Sequence, residues 1–153
     1  MQFTQKETIY LKDLKEAEQT CVEKYRNYAA QAHDGQLKGL FTQISQKEQQ
    51  HLDTINQIMS GTVPSMQSGG GNQPQLGFTP VYAATPTDPH KQKDSFLCTD
   101  LLSTEKHVSS VYNTAIFEFQ ETNVRDALNH IQKEEQQHGE QIFNYMAQNG
   151  MYG

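Results

Sequence analysis

The chain of 153 residues is long enough for one domain with its own core, but only 35% of it is hydrophobic and it has no tryptophan, so that core should be a narrow seam. A formal charge of -6 without a basic cluster argues against nucleic acid as a partner, and no apolar run approaches the length that spans a bilayer. Nothing resembles a leader peptide, and two cysteines, Cys21 and Cys98, are too few for a disulfide framework and fit no zinc or redox spacing, which points to synthesis in a reducing cytoplasm.

Apolar residues from about Lys6 to Ala32 recur at three- and four-residue steps through Leu11, Leu14, Cys21, Val22 and Tyr25, which predicts a first helix. His33-Asp34-Gly35 breaks the pattern as a tight turn. A second helix is expected from about Gln36 to Ser60, with Gly61 as its stop. Residues 61–87 hold five glycines and four prolines and keep no helical period. They read as a crossover connector, flexible around Ser68–Gln75 and pinned to the helices by Phe78, Val81 and Tyr82. Asp88-Pro89 then opens a third helix, expected to run to about Gln120, with Asp as cap and Pro in the first turn. Asn123 is the expected cap of a fourth, which carries Val124, Ala127, Leu128, Ile131, Ile142 and Tyr145 and stops at Asn149-Gly150.

The two halves repeat. Glu48-Gln49-Gln50-His51 recurs as Glu135-Gln136-Gln137-His138, 87 positions later, and Glu18 recurs as Glu105 at the same offset. Leu14 and Leu101, Tyr25 and Tyr112, Ile44 and Ile131, and Ile55 and Ile142 follow suit. In an antiparallel hairpin, residues equidistant from the turn lie side by side. Glu18 and Glu48 are both 15 residues from His33, and Glu105 and Glu135 both 15 from Gln120. At the helical rise each pair sits roughly 22 Å from its turn, near mid-helix. His51 and His138 lie one turn from their glutamates on the same face. The connector, which can extend to roughly 80 Å, is long enough to run the length of the helices and place the two turns at opposite ends.

Four glutamates on otherwise apolar stripes would be buried, and four converging carboxylates repel one another. No lysine or arginine shares their stripes. Two divalent cations would cancel the charge, with neutral imidazoles completing the ligand set. Glu18, Glu48, His51, Glu105, Glu135 and His138 are therefore the expected ligands of a dinuclear metal site. Tyr25 and Tyr112 lie two turns from their glutamates and read as core residues, with support of the site or radical quenching as the alternative. Cys21 reads as a small buried hydrophobe. Asp13 and Asp100 read as a solvated face, with orientation of a histidine as the alternative. His33, His90, His107 and His130 fall off the ligand stripe and read as exposed.

This set resembles the ferritin-like di-iron carboxylate family, in which two helices give one Glu each and two give Glu-x-x-His. Rubrerythrins and bacterioferritins are similar in carrying two such motifs, but the chain lacks the cysteine-rich module of the former and any sign of the cage surface of the latter. Nearly the whole chain also resembles the coat F domain family of endospore-forming bacteria. The likeness is strongest in Leu97–Phe119 and His130–Met146, and the Gln/Gly/Pro-rich middle is similar too.

The resemblances imply an all-α, ferritin-like four-helix bundle of two helical hairpins joined by a long crossover, forming one domain over residues 1–153. They imply a spore coat protein with two divalent transition metals, iron or manganese, and zinc as a contaminant of purification. Glu18 and Glu105 would each serve one metal, Glu48 and Glu135 would bridge, and His51 and His138 would close the ends. Oxygen or peroxide is the expected reactant of a di-iron or di-manganese oxidoreductase. The alternatives are a structural coat component with structural metals, and an iron oxidase or store. Other coat proteins are the expected partners, with a homodimer among the assemblies open to it.

Overall fold

The computed structural model describes residues 2–66, 77–83 and 88–151. They form four helices, α1 (Gln5–Gln31), α2 (Gly35–Met59), α3 (Pro89–Ile116) and α4 (Thr122–Gln148), and no strand occurs among them. Each helix is at least 25 residues long, roughly 40 Å, so a mid-helix residue lies far from either end. None is long and apolar enough to cross a membrane.

The starts and stops follow local chemistry. Thr4 and Glu7 form a reciprocal capping box on α1, each side chain accepting from the other's backbone N–H. Asp88 caps α3 by accepting from the backbone of His90 and Lys91, with Pro89 in the first turn, as the sequence suggests. Gly61 ends α2 at φ +96°, where the Thr62 N–H reaches back to the Gln57 carbonyl; Gly150 ends α4 at φ +64°, with Met151 N–H on the Met146 carbonyl.

Two boundaries differ from expectation. α3 stops at Ile116 rather than near Gln120, because the chain turns at the exposed Phe117 and brings Phe119 back into the core against Phe3. α4 starts at Thr122, with Glu121 rather than Asn123 at the cap position. Arg125 closes this turn by donating to the Phe119 and Gln120 carbonyls at 2.8 and 2.7 Å.

α1 packs along α2 and α3 along α4, while α1 also faces α3 and α2 faces α4. The α1–α2 turn meets the start of α3 and the end of α4. There, fully buried Asp94 accepts from the backbone N–H groups of His33 and Asp34, and Tyr145 donates to Asp34. The α3–α4 turn meets the start of α1, where Glu7 accepts from Gln120 N–H and Lys6 pairs with Glu118. The two turns therefore lie at opposite ends, as the connector length implies. Glu7 and Asp94 are themselves 87 positions apart, so each hairpin holds the other's turn with a buried acid at the corresponding place.

The core is two clusters rather than one. The first gathers Leu14, Ile55, Tyr112, Leu128 and Ile131 toward the α3–α4 turn. The second gathers Tyr25, Phe41, Ile44, Leu101 and Ile142 toward the α1–α2 turn. The connector is pinned at its far end. Phe78 packs edge-on against Tyr145, Gln36 exchanges two hydrogen bonds with the Thr79 backbone, and Tyr82 donates to Asp94. Val81 contributes only its backbone N–H, to Asn149, and its side chain is half exposed. The stretch Ser68–Gln75 lies outside the described residues.

Candidate metal centre

Between the two clusters, at mid-height, the helices bring together all six residues that the repeat singled out. Glu18 comes from α1, Glu48 and His51 from α2, Glu105 from α3, and Glu135 and His138 from α4. None is more than 2% exposed. Each sits on the buried stripe of its helix because it keeps the three- and four-residue spacing of the apolar residues around it.

Two overlapping quartets result, in each of which four potential ligand atoms lie within 4.8 Å of one another. Glu18, Glu48, His51 and Glu135 make one; Glu48, Glu105, Glu135 and His138 make the other. Glu48 and Glu135 belong to both. Each histidine approaches most closely the Glu-x-x-His glutamate of the opposite hairpin: His51 Nδ1 is 2.8 Å from Glu135 Oε1, and His138 Nδ1 is 2.9 Å from Glu48 Oε1. The first contact has hydrogen-bond geometry. The second does not, and leaves His138 Nδ1 without a hydrogen-bond partner.

Five carboxylate oxygens are in the same condition: Glu18 Oε2, both oxygens of Glu48, Glu105 Oε2 and Glu135 Oε2. A buried polar atom without a partner is uncommon, because it forfeits its hydration for nothing. Six such atoms converging on one spot fit a donor set that is complete only with cations among it. The residue types agree, since carboxylate oxygens with one imidazole per metal suit iron or manganese.

Electrostatics points the same way. Burial pushes the Glu18 and Glu135 carboxyls well above the usual range, reinforced by the neighbouring carboxylates Glu48 and Glu105 respectively. Glu48 is held well below it: burial opposes this, but His138 and His51 prevail. Burial alone would lower both imidazoles, yet Glu134 and Glu48 raise His51 to about 10, and Glu105, Glu135 and Glu48 raise His138.

Three residues beyond the six hydrogen-bond to them, and a fourth, Lys47, stands behind one of the three. Tyr25 donates to Glu105 Oε1 at 2.5 Å, and Tyr112 donates to Glu18 Oε1 at 2.6 Å, each reaching across to the opposite hairpin. Both tyrosines are fully buried core residues, as expected, and each hydroxyl also holds one outer carboxylate. Glu134 accepts from His51 Nε2 at 2.9 Å and pairs with Lys47 at 3.1 Å. No motif marks Glu134 in the sequence, although the series Ala127, Ile131, Glu134, His138 keeps the helical step and puts it on the buried stripe.

Elsewhere the expectations divide. Cys21 is buried, and burial together with all four site glutamates pushes its thiol far up, so it is inert as a nucleophile. Cys98 is buried in the second cluster. Asp13 is exposed; Asp100 is half-buried and accepts from Lys24 and Tyr28, so neither carboxylate meets a histidine. His33 and His90 are exposed and stack on each other with centroids 3.7 Å apart, and His107 is exposed. His130 corrects the expectation of exposure: it is half-buried, with Nε2 3.3 Å from Glu134.

The family model for the Coat F domain matches residues 93–153, which is 61 of the 153 residues and takes in most of α3, all of α4 and three of the six site residues. No curated protein and no solved structure matches the chain significantly.

Proposed function

We propose that the chain is a spore coat protein with a ferritin-like fold and a dinuclear iron or manganese centre. Its coat assignment rests on the Coat F domain match over α3 and α4. The metal assignment rests on one observation above the others: six fully buried ligand-type atoms without hydrogen-bond partners meet at the middle of the helices.

Glu18 and His51 would serve one metal, Glu105 and His138 the other, and Glu48 and Glu135, common to both quartets, would bridge. When bound, such a pair supplies one-electron redox chemistry toward oxygen or peroxide. The chain's own residues do the rest. The tyrosine hydroxyls orient Glu18 and Glu105, Glu134 orients His51, and the two apolar clusters exclude water on either side. Carboxylates and imidazoles bind metal only when deprotonated, so affinity should rise with pH and uptake should acidify the medium.

Complete burial also favours a second reading, in which the metals only hold the helices together within the coat. Elemental analysis of gently purified protein should find two transition metals per chain; none after anaerobic loading with ferrous iron or manganese would overturn both readings. Peroxide or oxygen consumption by the loaded protein, present or absent, separates them.

A further inference from the structure

A groove of about 590 Å³ opens between α1 and α3. Its lining has a regularity that locates it. Six residues of α1 between Asp13 and Lys24 line it, and the six of α3 that line it lie, one for one, 87 positions further on. The groove therefore straddles the axis that relates the two hairpins, and that axis passes through the site.

Cys21 and Val108 form part of its floor, and each stands three residues, one helical turn, beyond Glu18 or Glu105. Cys21 lines the groove although it is fully buried, and it sits on the same stripe of α1 as Glu18. One turn back along the same two helices, Glu18 Oε2 and Glu105 Oε2 are fully buried and without hydrogen-bond partners. The opposite face of the site is closed by the Lys47–Glu134 ion pair, and the two ends by the apolar clusters. The groove's mouth carries Asp13, Glu16, Asp100 and His107 against one cation, Lys24, which Asp100 and Thr104 already engage.

We propose that this groove is the entrance by which divalent cations reach the dinuclear site, with Cys21 and Val108 as its gate. The proposal rests on the metal reading above. The acidic mouth draws a hydrated cation to the axis, and the lining hydroxyls and carboxylates exchange for its water. A brief displacement of the Cys21 and Val108 side chains then hands it to the outer glutamates. Because the groove lies on the axis, one entrance serves both halves of the site.

The test is the rate of cobalt(II) uptake by the full-length apoprotein, followed by visible absorption after rapid mixing, with the final stoichiometry from elemental analysis. Thr20→Trp, which fills the groove from an exposed position, should slow uptake several-fold and leave the final stoichiometry at two. Gln50→Trp on the outer surface of α2 should change neither. Asp13→Lys with Glu16→Lys should slow uptake by about tenfold at low salt and flatten its dependence on ionic strength. This second variant alters only exposed side chains and keeps the test open should Thr20→Trp not fold. Full loading at unaltered rate in both variants would overturn the entrance while leaving the metal site intact. Slowing by Gln50→Trp alone would move the entrance away from the α1/α3 groove and overturn it as well. An unaltered chain that takes up no cobalt would remove the metal reading itself.

Discussion

The surroundings of His51 and His138 begin alike and then part. Each imidazole lies among the carboxylates of both hairpins, and each outer glutamate accepts from a tyrosine of the other hairpin. Behind His51 stands Glu134, at 2.9 Å from Nε2. The position corresponding to Glu134 in the first hairpin is Lys47, a cation, and Lys47 pairs with Glu134 itself. Two residues that are images of each other and also touch must lie on the axis. Like charges there would repel, so an ion pair at that place requires the two halves to differ. The comparison teaches that a chain built as a repeat can keep a symmetric set of buried glutamates and histidines and still give its two histidines unequal surroundings, because asymmetry is favoured where the symmetry elements meet.

The comparison can be broken most forcefully at the shared glutamates. Glu48→Ala and Glu135→Ala should abolish binding of both metals, whereas Glu18→Ala or Glu105→Ala should leave one metal per chain, read by elemental analysis. In thermal unfolding, Glu48→Ala should destabilise the metal-loaded protein but be neutral or stabilising in chelator, where one less carboxylate lies buried in the cluster. Equal destabilisation in both conditions would make the glutamates structural.

Glu134→Gln sharpens the comparison. It should lower metal affinity at one of the two sites by about 10–100-fold, the usual effect of removing a carboxylate behind a metal-bound histidine. Lys47→Gln should do less. Calorimetric titration that shows both sites weakened equally would mean the two halves are equivalent after all.

The ends of the molecule extend the contrast. Asp94→Ala leaves the His33 and Asp34 amides and the Tyr82 hydroxyl without their acceptor, and should cost about 1–3 kcal/mol in chemical denaturation. Its counterpart Glu7 is held below the usual carboxylate range: burial would raise it, but the Thr4 and Gln120 amides prevail. A depressed carboxylate contributes stability above its unfolded value that is lost as pH falls through its folded one. The deficit of Glu7→Gln, about 1 kcal/mol at neutral pH, should therefore close on acidification, the smallest of these effects. A deficit that persists at low pH would show that the amide bonds do not depend on the charge.

Much of this was written along the chain. The spacing of apolar residues set four helices, and equal distances from the turns set Glu18 beside Glu48 and Glu105 beside Glu135. The length of residues 61–87 set the turns at opposite ends. Local periodicity assigns a side chain to a buried face, and it does so for Tyr25, Tyr112 and Cys21 as surely as for the six; Glu134 keeps the same step, but no motif marks it. It does not say what that face meets. Tyr25 donates to Glu105 on α3 rather than to Glu18 on its own helix, Glu134 reaches His51 on α2, and Asp94 holds the turn after α1. These pairings depend on which helices are neighbours and on their rotation about their own axes. Those are settled by packing the two apolar clusters together, since interior side chains must interlock at close to crystal density. A sequence fixes period and spacing within one helix; only the assembled core decides which residue of another helix stands opposite.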